Sequence, residues 1–180
     1  MNIKEIITEE VVDEYRIMPN IVDPSRLVAS GDEDKKYTRL VKTPITQFEV
    51  RYDDSLVPYH TYYFYDKKTG KCVGTFAIEM QDLTFEKVLK PGVEAVIPHM
   101  SLLPQVQGQG IAKLAYTTFL RGGNWVFVTS RHTQSAAGLW DSLVTGDIIN
   151  VYVSEKTGKQ IKKPLSPHGI RMIGPTDRFL

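Results

Sequence analysis

The stretch Leu102-Leu103-Pro104-Gln105-Val106-Gln107-Gly108-Gln109-Gly110-Ile111-Ala112 carries the residues of this chain best suited to binding chemistry. Two glycines and three glutamines join an apolar run to a segment of helical spacing, where Ile111, Leu114, Ala115, Thr118 and Phe119 share one face. A helix N-terminus exposes about four backbone N–H groups and roughly half a positive charge. Glycines just before it remove the Cβ atoms that would keep a bulky anion away, so the junction predicts a cradle for phosphate or pyrophosphate. Two common glycine loops do not fit. A P-loop needs lysine and then serine or threonine after its last glycine, where this chain has Ile111-Ala112. A dinucleotide loop needs a third glycine where Lys113 stands, and an acidic residue about twenty positions on. Positions 129–133 read Thr-Ser-Arg-His-Thr, without one.

Other reactive residues are scattered. Cys72 is the single cysteine, so no intramolecular disulfide or cysteine-built zinc site is available, and beside Val73-Gly74 it reads as a small packing residue. The histidines (His60, His99, His132, His168) form no ligand pattern, and neither G-x-S-x-G nor H-E-x-x-H occurs. No metal site is expected. The tetrapeptide KTGK occurs twice, at 67–71 within KKTGK and again at 156–159. Without an S-x-x-K partner it reads as two hairpin turns.

The elements that must position these residues follow from periodicity. Residues 3–17 predict an amphipathic helix, and 18–45 short helical pieces and loops punctuated by Pro19, Pro24, Gly31 and Pro44. Strands are expected at 48–52, 60–66 and 72–80, the last two joined by a hairpin with Gly70 at a positive-φ position. A fourth apolar strand covers 93–103, which Pro98 is expected to bend or bulge. The helix after the glycines is expected to stop at Gly122-Gly123. A doubly buried strand over 124–130 follows, then a helix with Ala136, Leu139, Trp140 and Leu143 at i, i+3, i+4, i+7. Late strands at 148–153 and 169–173 complete an α+β domain with a mixed sheet.

With these elements in order, the glycine junction resembles motif A of the GNAT superfamily of acyl-CoA-dependent N-acyltransferases. That signature reads V-x-P, two spacers, then Q/R-x-x-G-x-G/A opening a helix. Leu102-x-Pro104 takes the first place, and Gln107, Gly110 and Ala112 fill the signature positions, with Gly108-Gln109 and Ile111 between them. Downstream, Thr133-x-x-Ala136-x-x-Leu139-Trp140 is similar to the family's N-x-x-A-x-x-L-Y. The resemblance covers roughly residues 45–173. It implies the acyl-CoA N-acyltransferase fold, a mixed and mostly antiparallel central sheet flanked by helices. One domain over 1–180 is expected, with an N-terminal helical region (1–45), four strands (46–104), a βαβα cofactor core (105–146) and C-terminal strands with a tail (147–180).

The resemblance further implies acetyl-CoA as cofactor, its pyrophosphate on the backbone of Gln107, Gly108, Gln109, Gly110, Ile111 and Ala112. Met100 and Leu102 would pair with the pantetheine arm, and a backbone N–H of that strand would polarise the acyl carbonyl. An amine-bearing small molecule or protein would then attack directly. The family's proton-donating tyrosine falls on Trp140 and its asparagine on Thr133, which keeps part of the hydrogen-bonding capacity. Glu94 and His99 are the candidate bases, with Glu79 a third. His132 reads as a capping or phosphate-touching residue, and Tyr59, Tyr62, Tyr63 and Tyr65 as an acceptor lining or as strand packing. Glycine before the leucine in the Thr-x-x-Ala-x-x-Leu-Trp variant looks like acetyltransferase-like proteins encoded by bacteriophages.

Whole-chain properties set limits on partners. In 180 residues, 22 basic and 21 acidic side chains give a net charge of +1, which disfavours nucleic acid without excluding a local patch. The N-terminus lacks a basic, then apolar, secretory pattern, and no apolar stretch approaches the ~20 residues that span a bilayer. A cytoplasmic protein is expected, in a host cytoplasm if phage-encoded. Two other functions stay open: a non-catalytic domain that binds CoA or a protein, and a DNA-base-modifying acyltransferase.

Overall fold

The computed structural model describes residues 35, 38–55, 58–80, 84–130, 134–162 and 169–180. The helix expected at 3–17, most of 18–45, and Thr133, His132 and His168 lie outside the described residues. The fold is α+β, and the described residues form mostly antiparallel strands and two α-helices. The described residues fall into two compact units, one drawn from 35–80 and 96–122, the other from 84–95 and 123–180.

In the unit that contains the glycine junction, β1 (Arg39–Leu40), β2 (Phe48–Asp53), β3 (Tyr59–Asp66), β4 (Cys72–Met80) and β5 (Glu94–Leu102) pair antiparallel in sequence order. The two-residue β1 lies where helical pieces and loops were expected. Aromatic alternation builds the rest. Tyr62, Phe64 and Phe76 share one face, against which α1 (Ile111–Arg121) packs. The Phe119 ring lies 4.0 Å from Tyr62 and 4.8 Å from Phe76, and Tyr116 meets Phe76 edge-on at 5.0 Å. Such ring pairs add about 0.5–1.5 kcal/mol each beyond the area they bury. Tyr63 and Tyr65 point to the opposite face and are buried with Cys72, whose thiol makes a weak contact to the Gly74 carbonyl.

The β3–β4 connection is the expected hairpin. Gly70 has φ 70°, and the Asp66 carboxylate accepts the Lys68 and Thr69 amides, both at 2.8 Å. The second KTGK closes the same way: Gly158 has φ 64° and donates to the Ser154 carbonyl as Gly70 does to Asp66. One bulge was not anticipated. Phe64 pairs with Gly74 but Tyr65 with Cys72, leaving Val73 as the extra residue.

Pro98 does not bulge β5 against β4, where the sequence predicts a bend or bulge. The Leu103 amide donates to the Val73 carbonyl at 2.9 Å, and register runs unbroken from there to Met80↔Val96. Hydrogen-bonded pairs alternate along an antiparallel ladder, so odd-numbered β5 residues bond to β4 and even-numbered ones face away. Pro98 is even, so its missing N–H leaves no gap in the β4–β5 ladder. The helix stop also differs in detail: Gly122 caps α1 with right-handed φ −76°, and a Cβ on Gly123 would strike the Trp125 ring at 2.5 Å. Gly123 thus admits a close aromatic ring, and neither glycine makes a left-handed turn.

The other unit orders β6 (Trp125–Thr129), β9 (Gly169–Pro175), β7 (Ile148–Ser154) and β8 (Gln160–Ile161), with α2 over Gln134–Leu143. Val126, Phe127, Val128, Met172, Ile173, Trp140 and Leu143 are buried. Arg171 is buried among them, its guanidinium bonded to Asn150 and to Asp141 at 2.7 Å and lying 5.6 Å from the Trp140 ring centre. Asp141 is largely in water, so this ion pair contributes only about 0–1 kcal/mol; its role is to satisfy a buried cation. No helix among the described residues is long and apolar enough to cross a membrane.

Two outcomes follow. A Cβ on Gly74 would lie 2.5 Å from Leu102 Cδ2 and 3.1 Å from the Ser101 carbonyl, so Gly74→Ala should cost about 1–3 kcal/mol in urea unfolding. Backbone donors from Thr69 and Lys68 hold the Asp66 carboxyl below its usual range. Its contribution is therefore complete above the unfolded value of about 3.9 and lost as pH falls through the lower folded value. Amide exchange at Thr69 and Lys68 should accelerate there, and Asp66→Asn should remove that pH dependence.

Candidate functional site

The loop between β5 and α1 is held at both ends and open in the middle. Leu103 is tied to Val73, and Pro104–Val106 forms a single 3₁₀ turn whose Val106 side chain is buried. The Gln107 side-chain amide donates to the Leu102 carbonyl at 2.9 Å, and that of Gln109 to the Gln105 carbonyl at 3.2 Å. The glutamines thus brace the loop internally. Gly108 has φ 73° and Gly110 has φ 75°, the left-handed region that side-chain-bearing residues enter at a cost of about 1–2 kcal/mol.

Neither glycine is required for packing. A Cβ on Gly108 or Gly110 would meet nothing within 4 Å. The space beside the backbone is open, and a methyl group would project into it. Gly110 is the N-cap of α1, but no side chain caps the helix and its first turn carries no acid. Ile111 is buried and anchors the turn, while Gly108, Gln109, Gly110 and Lys113 are exposed. The first-turn amides of an eleven-residue helix thus stand beside uncovered glycine backbone. Such a surface accepts an anion of phosphate size through N–H donors and the helix dipole.

Met100 and Leu102 are half-buried residues of β5, and both are even-numbered, so their backbone groups face away from β4. Leu102 O takes the Gln107 side chain, and the Leu102 side chain lies over Gly74. Strand and loop are therefore one braced structure from Met100 to Ile111.

The candidate bases separate. Glu94 is exposed at the first residue of β5, its amide donating to the Asn124 carbonyl at 3.0 Å. His99 is half-exposed, and its Nε2 lies 2.8 Å from Oε2 of Glu79. The register Ala77↔His99 and Tyr59↔Glu79 sets Tyr59, Glu79 and His99 on one face, with the Tyr59 ring edge-on to His99 at 6.3 Å.

Of the tyrosine cluster, Tyr63 and Tyr65 are core, Tyr62 stacks on Phe119, and only Tyr59 is exposed. Burial first, then Tyr52, raises the Tyr62 phenol above its ordinary value, which keeps it neutral. A contact absent from the sequence reading is Tyr52 Oη with His60 Nδ1, in a ring pair 6.0 Å apart. Its residues are eight apart with no motif; only the β2–β3 register brings them together. Trp140 is 2% exposed, so its indole is enclosed in the core of its own unit. Among the described residues no group of three or more His, Cys, Asp or Glu could hold a metal ion.

No family profile matches this sequence, and no curated protein matches it. Solved structures do. A Bordetella pertussis protein assigned to the GnaT-family acetyltransferases is similar at 15% identity over 66% of this chain, with a TM-score of 0.39. This chain spans 65% of that protein's length. A spermidine N-acetyltransferase chimera from Vibrio cholerae and hSSAT is 10% identical over 66% of this chain and 68% of its own, TM-score 0.36. An acetyltransferase from Agrobacterium tumefaciens is 11% identical over 96% of this chain and 86% of its own, TM-score 0.39.

Proposed function

We propose that this chain is an N-acyltransferase that moves an acetyl group from acetyl-CoA to an amine by direct attack. The observation that carries the reading is the Gln107–Ala112 loop, with the GNAT-like Q-x-x-G-x-A spacing, two left-handed glycines and an uncapped helix start. The residues present fit such a cofactor. Backbone amides from Gln107 to Ala112 would hold its pyrophosphate, and open space at Gly108 and Gly110 admits the close approach. When bound, acetyl-CoA supplies an acyl group activated as a thioester.

The chain's own residues do the rest. Backbone groups of Met100 and Leu102 face away from β4 and would pair with the pantetheine arm, one N–H polarising the acyl carbonyl. A base on the acceptor side, Glu94 or His99, would take the proton of the attacking nitrogen. Trp140 has no acidic hydroxyl, and an alkyl thiol with a pKa of about 8.5 is a fair leaving group unaided. Thr133 would contribute one hydroxyl to the cofactor. A non-catalytic CoA-binding domain is the second reading, favoured by the enclosed indole where a proton donor is usual. The net charge of +1 disfavours a DNA acceptor against a small amine or protein lysine.

Calorimetric titration should show acetyl-CoA binding to the wild type, and a thiol reagent should report CoA release with spermine, a lysyl peptide or aniline as acceptor. Gly110→Glu places a bulky anion and a left-handed Cβ at the cradle. It should leave a cooperatively folded protein and lower cofactor affinity at least tenfold. Unchanged affinity would sink the pyrophosphate assignment, while binding without CoA release would favour the non-catalytic reading.

A further inference from the structure

We infer that Glu79 and His99 act as one carboxylate–imidazole dyad, in which Glu79 positions His99 to take the proton of the acceptor amine. The inference rests on the acetyl-transfer reading and decides between bases that the sequence leaves equal. Three strands build the arrangement. Glu79 on β4 is paired with Tyr59 on β3, and lies diagonal to His99 across the β4–β5 register. Diagonal neighbours on one sheet face lie within reach of long side chains, and these two close to 2.8 Å between Nε2 and Oε2.

The two partners differ in exposure in the sense a dyad needs. The Glu79 side chain is 18% exposed, whereas the imidazole is 42% exposed. The carboxylate is thus the inner group and the ring the outer one, open to a second molecule. An ionised carboxylate only accepts, so it takes the Nε2 proton and leaves Nδ1 with its lone pair. Among the described residues no partner is assigned to that nitrogen. The Tyr59 ring lies beside the imidazole, centroid to centroid 6.3 Å and inclined at 63°. Glu94, by contrast, is an exposed carboxylate with its side chain oriented by no described partner.

In the step itself, the acceptor nitrogen's lone pair forms a bond to the acyl carbon as the C–S bond breaks. The nitrogen's proton passes to His99 Nδ1, and the imidazolium is stabilised by the Glu79 carboxylate. The departing thiolate takes a proton from water, and His99 returns its own to solvent. Amine plus thioester gives amide plus thiol, with no other reactant.

The test compares wild type, Glu79→Gln, His99→Ala and the double variant in the full chain, with acetyl-CoA and the amine that the wild type acetylates fastest. Both sites are near the surface and Gln is isosteric, so each variant should unfold cooperatively and bind acetyl-CoA with wild-type affinity. His99→Ala should lower kcat about a hundredfold and Glu79→Gln about tenfold. A dyad is non-additive, so the double variant should be within about twofold of His99→Ala. Added imidazole should restore part of the rate to His99→Ala, which a merely structural histidine would not permit. A wild-type rate in Glu79→Gln, additive losses, or absence of rescue overturns the dyad while acetyl transfer stands. No turnover by the wild type with any of the three amines overturns both.

Discussion

The alignment of β4 against β5 is the constraint on which the candidate site depends. Once Val73 is left over as a bulge residue, its carbonyl is in place to accept Leu103, the first residue past β5. That bond ties the chain to β4 just before the glycine loop begins. The same alignment places Leu102 over Gly74, where no side chain larger than hydrogen fits, and puts Glu79 diagonal to His99. A slip of one residue would turn His99 to the opposite face and set Gly74 against a different neighbour. Loop, strand end and the Glu79–His99 contact therefore share one cause.

Aromatic packing sets the helix that completes the loop. Phe119 reaches Tyr62 and Phe76 from the last turn of α1, so the helix is held by its C-terminal half. Its N-terminal turn is secured by Ile111 beneath and by the two glutamine side chains in the loop, which leaves the amides uncommitted to a capping side chain. A capping serine or aspartate would satisfy those donors and, with aspartate, repel an anion. Leaving a helix start uncapped costs about 1 kcal/mol of helix stability, an arrangement consistent with donors kept for a ligand.

The buried polar groups of the other unit answer to a different need. Arg171 lies within β9, opposite Tyr152 and Thr129, and donates hydrogen bonds to Asn150 and Asp141 while its planar group faces the Trp140 ring. A charge held among apolar strands is tolerable only with such partners. Trp140, 2% exposed, is thereby packed within its own unit.

Much of this was legible in the residues. Alternation at 48 and runs of strand-forming side chains at 60 and 72 marked these strands to within a residue or two, because such side chains pack well on a pleated surface. Both KTGK turns and the Gly108–Gly110 junction were legible too, since only glycine enters a left-handed conformation cheaply. Pro98 misled because a missing N–H matters only on the side that faces a ladder partner, and which side that is depends on register. For the same reason Glu79 and His99, twenty residues apart, could be suspected singly but not as a pair. The sequence by itself determined the elements, the turns and the left-handed glycines of the loop before α1, all of which are local consequences of side-chain size, alternation and φ. Only the tertiary structure decided which face each strand residue shares and with whom, because cross-strand register is set by long-range packing that no local pattern encodes.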